Sequence, residues 1–379
     1  MYDAFISLVR QLYPNQDIVP LHAPVFRGQE KQLVCEAIDS TFVSTVGTMV
    51  TAFESRISEF VGTRHAIATM NGTAALHAAL MGVGVTHEHE VITQSLTFVA
   101  TCNAIAYCGA NPVFVDVDRK TAGMSAEALR HFLLQNVDLD GDVARNRKTG
   151  NIISACVPMH TFGLALEMAE IHALCDKYNI ALIEDAAEAL GTRIGDRMAG
   201  SFGRAGVLSF NGNKILTTGG GGMVVTDDDE LAGSIRHLTT TARQPRRFRF
   251  SHDCVGYNYR MPNLNAALGL AQFEQLQSFL EEKRVIADRY HSWVDDKDLT
   301  ILRECAGTWS NYWLNALVFE DMDRRDGFLE FTNQVGIQTR AAWDPLHTLP
   351  MYEMCQRDTL ENTDYLYQRI VNIPSGVAA

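Results

Sequence analysis

From residue 65 onward the chain alternates short apolar, β-branched runs with longer stretches whose apolar residues recur every three or four positions. HAIATM is followed by GTAALHAALMGV, EVITQS by TFVATCNAIAYCG, and NPVFVDVD by SAEALRHFLLQ. NIISACVPMH, MAEIHALCDKYN and ALIEDA continue the series, which closes with AGVLSF and GGMVVT. Strand and helix in alternation predict a mostly parallel sheet of about seven strands. Ahead of it, residues 29–61 read as helical on VCEAID and VTAFESRISEFVG. Behind it, LNAALGLAQFEQLQSFLEEKRVIADRY predicts one helix long enough to join two units, and residues beyond about 285 read as a small α+β unit. We therefore expect a large domain over residues 1–255, including the N-terminal helical segment. The linking helix and a small C-terminal α+β domain take residues 256–379.

Composition narrows the class. A 46% apolar content over 379 residues offsets chain entropy without long disordered tracts. The net charge of −13 argues against nucleic acid or an anionic membrane surface as the main partner, so an anionic ligand must be met by local cations. The eight cysteines include no C-x-x-C pair, which points away from a zinc cage or a disulfide framework and towards a reducing cytoplasm. The N-terminal stretch carries charges within its apolar run, and no long apolar span follows, so a chain that is neither exported nor membrane-bound is expected.

Three segments carry candidate chemistry. ALIEDA ends a strand in Glu184 and Asp185, where α/β sheets present ligand-binding groups. SFNGNKILTTGGGG places Ser209 five residues before Lys214 and ends in four glycines that allow a sharp turn. NGTAAL puts Asn71, Gly72 and Thr73 at a helix start, whose free N–H groups suit a phosphate as well as they suit an ordinary N-cap. Together with the aromatic Phe98 in TFVATCN, they meet the needs of pyridoxal phosphate: an amine for its aldehyde, a carboxylate for its ring nitrogen, donors for its phosphate and a flat face for its ring.

With those segments, VPLHAPVFRGQEKQLVCEAIDSTFVSTVGTMVTAFE and GYNYRMPNLNAALGLAQ make the chain resemble the DegT/DnrJ/EryC1/StrS sugar aminotransferases from about residue 19 to its end. The resemblance implies the aspartate-aminotransferase-like fold type I, a three-layer α/β/α large domain with a smaller α+β domain. It implies Lys214 as the Schiff-base and proton-transferring residue and Asp185 at the pyridine nitrogen. Phe98 would lie on the ring, and Gly72, Thr73 and Ser209 on the phosphate. Asn258 would reach the phosphate of the neighbouring subunit, in a homodimer with composite active sites. Glu188 stands where relatives often carry Gln or His, and a carboxylate there would face the ring hydroxyl.

The wording of IDSTFVSTVGTMV and ITQSLTFVATCNAI most resembles the subgroup that makes legionaminic- or bacillosamine-type sugars for bacterial surface glycans. That implies amino transfer from glutamate to C4 of a UDP-2-acetamido-2,6-dideoxy-4-hexulose, through pyridoxamine phosphate and with 2-oxoglutarate released. A GDP-perosamine or dTDP-sugar aminotransferase is the alternative, and a non-catalytic sugar- or cofactor-sensing protein a more distant one. For the sugar diphosphate we expect Arg243 and Arg246 of RQPRRFRF, and for other substrate contacts His160 of VPMHTFG and His347 of TRAAWDPLH. HEHE at 87–90 reads as a solvated turn and not a metal site, and VDVD at 115–118 as capping and turn carboxylates.

Overall fold

A computed structural model describes residues 2–378 apart from Asp296. The large sheet runs through β1 (His65–Thr69), β2 (His89–Gln94), β3 (Asn111–Val115), β4 (Ile152–Val157), β5 (Ala181–Asp185), β6 (Ala205–Ser209) and β7 (Gly222–Thr226). Their spatial order is β1-β7-β6-β5-β4-β2-β3. The contacts from β6 to β3 are parallel, whereas β7 is antiparallel to both its neighbours. These are the seven strands expected from sequence; a hairpin of Val137–Asp140 and Val143–Asn146, which we did not expect, extends one edge.

Twelve α-helices are described: α1 (Tyr2–Leu12), α2 (Glu30–Asp39), α3 (Thr48–Val61), α4 (Gly72–Gly82), α5 (Ala100–Tyr107), α6 (Ala126–Asn136), α7 (Met168–Lys177), α8 (Asp229–Thr239), α9 (Asn263–Phe273), α10 (Leu276–Val294), α11 (Met322–Gln334) and α12 (Glu361–Tyr367). Helix α4 is buried on nearly every side, and its run of alanines lets it lie close to the sheet and to α5 and α8. Helix α3 buries Val50, Phe53, Glu54, Ile57 and Val61 at helical spacing and ends at Gly62, whose φ of 80° supplies a left-handed cap. No helix among the described residues is long and apolar enough to cross a membrane.

The single long helix expected after residue 263 is two, α9 and α10. The break brings the side-chain amides of both Gln272 and Gln275 to the buried carboxylate of Glu30, each at 2.7 Å. Helix α10 then joins two cores. Its Leu276, Phe279 and Leu280 pack with the large sheet, and Ile286, Tyr290 and Val294 with Phe5, Val9, Phe319 and Phe328. The N-terminal helix α1, with Phe5, Leu8 and Val9 buried, therefore sits in the second core and not with the large sheet, to which we had given residues 1–255.

The second core is backed by a four-stranded antiparallel sheet of β8 (Thr300–Ile301), β9 (Asn315–Val318), β10 (Arg340–Ala341) and β11 (Ile370–Ile373), in the order β8-β9-β11-β10.

Asp116 ties the two parts together. Its carboxylate accepts the N–H groups of Asn362 and Thr363 at the start of α12 and the Thr363 hydroxyl, all at 2.8 Å. Capping is the role VDVD suggested, although the helix capped is remote in sequence; Asp118 makes the expected turn, accepting from Lys120 and Thr121. In HEHE the turn reading fails for Glu90, which is buried and bonded to Asn146. Replacing Asp116 by Ala leaves several N–H donors unpaired and is expected to cost about 2–3 kcal/mol in a urea or guanidinium denaturation series.

Candidate active site

Strands β5 and β6 and the turn after β1 end at one side of the sheet, and a cavity of about 670 Å³ opens there against the small sheet. Gly72, Thr73, Phe98, Asp185, Glu188, Ser209 and Lys214, all singled out from sequence, line it.

The anion-binding corner is built from backbone. Asn71 caps α4 by accepting the N–H of Ala74 at 2.8 Å, which leaves the N–H groups of Gly72 and Thr73 facing the cavity wall with the Ser209 hydroxyl. Two glycines keep this corner open, and at Gly222 no other residue fits. A Cβ on Gly72 would lie 3.1 Å from Ser209 Cβ, and one on Gly222 would lie 2.4 Å from the carbonyl carbon of Asn71. Such close backbone approach is what a phosphate cradle requires.

Strand alternation separates the two acids of ALIEDA. Glu184 turns to the far face, where it accepts the N–H groups of Gly200 and Gly203 at 2.8 Å and pairs with His160 at 3.1 Å. Asp185 faces the cavity, with Oδ2 accepting the Thr101 hydroxyl at 2.8 Å and Oδ1 the Ala187 N–H at 3.2 Å. Glu188 accepts the Phe162 N–H at 2.9 Å on one oxygen and meets Lys214 Nζ at 3.1 Å with the other. Phe98 is half exposed, its ring face available to the cavity and its centroid 6.3 Å from that of Trp343. This donor set fits pyridoxal phosphate: a buried carboxylate for a cationic ring nitrogen, an amine, an open aromatic face and a backbone nest.

Four expected substrate contacts lie outside this chain's cavity, as does Asn258, which is expected at the neighbouring subunit's phosphate. His160 is fully buried behind the wall on Glu184, and the neighbouring Met159 lines the cavity instead. His347 is turned onto Ser95, 2.8 Å from its hydroxyl. Arg243 stacks on its own Phe250 and Arg246 bonds Gln244, in a loop that does not reach this chain's cavity. Asn258 is exposed and pairs through its backbone with Thr240, away from the same cavity. Conversely, the sequence reading missed Thr101, Trp313, Arg340, Trp343 and Asp344, all of which line it. Arg340 and Trp343 sit within TRAAWDPLH, so the segment was identified and the wrong residue chosen.

Burial pushes the Asp185 carboxyl above the usual range, opposed by its Thr101 and Ala187 hydrogen bonds and by the charges of Lys214 and His160. Burial does the same at Glu188, against the charge and hydrogen bond of Lys214. A carboxyl whose folded pKa lies above its unfolded one costs stability when ionised. The cost is absent below the unfolded pKa, grows as pH rises between the two values and is complete above the folded one. Asp185→Asn, with its amide facing Thr101, is therefore expected to raise the Tm of protein stripped of cofactor by about 2–4 °C at pH 8. The gain should shrink as pH falls towards about 4, which scanning fluorimetry across pH would show.

Comparison with known proteins agrees with this chemistry. Residues 24–378 match the model of the DegT/DnrJ/EryC1/StrS aminotransferase family. The chain is 34% identical to the GDP-perosamine synthase of Vibrio cholerae, covering 94% of each chain. It is 36% identical to EpsN of Bacillus subtilis (strain 168), assigned as a pyridoxal phosphate-dependent aminotransferase, over 94% of this chain and 90% of that one. The crystal structure of a DegT DnrJ EryC1 StrS aminotransferase from Brucella abortus superposes with a TM-score of 0.83 at 28% identity, covering 92% of this chain and 90% of that one. The chain thus belongs to the DegT/DnrJ/EryC1/StrS family and is a sugar aminotransferase dependent on pyridoxal phosphate.

Proposed function

We propose that the protein transfers an amino group from glutamate to C4 of a nucleotide-linked 4-keto-6-deoxy sugar, with Lys214 as the Schiff-base residue. The observation that carries this reading is the convergence of Lys214, Asp185, Phe98 and the Gly72–Thr73–Ser209 corner on one cavity. Bound pyridoxal phosphate supplies an electron sink that lets a C–H bond beside an amine ionise. The residues do the rest. Asp185 would pair with the ring nitrogen, the Gly72 and Thr73 N–H groups and the Ser209 hydroxyl would hold the phosphate, and Phe98 would face the ring. The Lys214 amine would take the proton from the substrate carbon as base and deliver it again as acid.

The nucleotide carrier has two readings. The GDP-perosamine synthases among the relatives support a GDP-linked sugar. The segments IDSTFVSTVGTMV and ITQSLTFVATCNAI support a UDP-linked 2-acetamido sugar, which we hold as the second reading. In either case the diphosphate needs cations. We assign Asn258 and the Arg243–Arg246 loop to the cavity of a partner copy, since neither reaches the cavity of its own chain. The exposed Phe42, Val46, Phe248, Phe250 and Val255 support a homodimer that covers these segments.

Visible absorption of the holoenzyme is expected to fall when glutamate is added and to return when the accepted ketosugar follows. Offering GDP-4-keto-6-deoxymannose and UDP-2-acetamido-2,6-dideoxy-4-hexulose in turn identifies the carrier. A band that glutamate leaves unchanged would sink the donor assignment. Lys214→Ala should lower turnover by about 10²–10⁴-fold or more from loss of proton transfer alone.

A further inference from the structure

A lysine that carries a cofactor as a Schiff base alternates between a bonded and a free position. In the free position its ammonium lies in a partly closed cavity, where an uncompensated charge is costly. In the structure two groups meet that ammonium. Glu188 Oε1 lies 3.1 Å from Lys214 Nζ, and Nζ stands 3.8 Å from the centroid of the Trp313 ring, within cation–π range.

Both groups are held in place. The second oxygen of Glu188 receives the N–H of Phe162, whose φ of 58° is a left-handed conformation that a bulky residue adopts only when its surroundings impose it. The Trp313 indole N–H donates to the carbonyl of Asn213 at 2.7 Å, so the ring that faces the lysine is bonded to the residue just before it. The main chain of Trp313 is pinned at its carbonyl by the fully buried Lys283, at 3.0 Å. An ion pair on one side and an aromatic face on the other, each locked by backbone contacts, is more than a long flexible side chain needs for simple solubility.

We propose that Glu188 and Trp313 form a resting slot for the ε-ammonium of Lys214. The slot stabilises the enzyme whenever the lysine is off the cofactor, and so sets the balance between lysine-bonded and lysine-free forms. The proposal rests on Lys214 as the Schiff-base residue. It predicts an asymmetry between the two forms of the cofactor: pyridoxal phosphate draws the lysine out of the slot on binding, whereas pyridoxamine phosphate leaves it there. Weakening the slot should therefore tighten the first relative to the second, an outcome that general damage to the site does not produce.

The test is the pair of dissociation constants for pyridoxal phosphate and pyridoxamine phosphate, titrated into protein stripped of cofactor. Trp313→Leu is expected to shift their ratio about fivefold in favour of pyridoxal phosphate, and Trp313→Phe, which keeps a ring face, to stay within about twofold of the parent. Glu188→Gln should shift the ratio in the same direction, and it carries the test should Trp313→Leu not fold. A ratio unchanged in Trp313→Leu and Glu188→Gln, or moved the opposite way, overturns the slot. Failure of borohydride to fix the cofactor on Lys214 in the parent protein would instead overturn the lysine assignment, and the slot with it.

Discussion

Charge buried at the end of a strand is the constraint on which this structure turns. Asp185 and Glu188 lie almost out of solvent within one turn of each other, and burial alone would drive both to the neutral form. Their hydrogen-bond and ion-pair partners oppose that drift, the Thr101 hydroxyl and Ala187 N–H on Asp185 and the Phe162 N–H and Lys214 ammonium on Glu188, although the charge of Asp185 adds to it at Glu188. Transamination needs a carboxylate that stays charged beside a cationic ring, so stability spent here serves function. The same logic explains Glu184, buried beside them yet satisfied by the Gly200 and Gly203 N–H groups and His160; its work is to fold the loop that follows β5.

Holding those charges requires walls from two bodies. The large sheet supplies the floor, and the segment from Ser310 to Trp313 closes one side. There Asn311 donates to the carbonyls of Glu188 and Leu190, so the segment that bears Trp313 also fixes the turn that bears Glu188. Helix α10 and the Asp116 cap on α12 hold the second body in register with the first. Glu54 does comparable work on the far side: it accepts the Ala68 N–H and pairs with Arg260 and Arg236.

Much of this was legible in the chain. Seven strands follow from β-branched runs between helical stretches, because parallel strands buried on both faces read as continuous apolar segments. Lys214, Asp185, Glu188, Ser209, Phe98, Gly72 and Thr73 were legible because strand ends and helix starts are local features with local signatures, and the sheet gathers them at one edge. The failures are of a different kind. His160 and His347 were chosen for their chemistry, but a one-residue difference in where a side chain points decides between cavity and core, and no local pattern reports it. Trp313 and Arg340 come from the small body, whose placement depends on long-range packing along α10. Helix α1 was missed as a member of the second core for the same reason: its partners lie some three hundred residues away.

This division of labour bears on how specificity is built. The groups that would hold the cofactor come from the large sheet and its loops, whereas Arg340, Trp343 and Asp344 reach the cavity from a two-residue strand of the small sheet and the turn after it. That turn is steadied by the Tyr367 hydroxyl on Asp344 at 2.8 Å, and Tyr367 belongs to α12, the helix capped by Asp116. This side of the cavity is therefore set largely by contacts within the small body, and it meets the charge cluster through Trp343, whose ring centroid lies 5.3 Å from that of Phe162, the donor to Glu188. Changes at Arg340 or Asp344 reshape the cavity without touching a contact of the Asp185–Glu188–Lys214 cluster, whereas changes at the cluster alter its charge arrangement directly. A fold organised in this way can keep one reaction while the walls around it diverge.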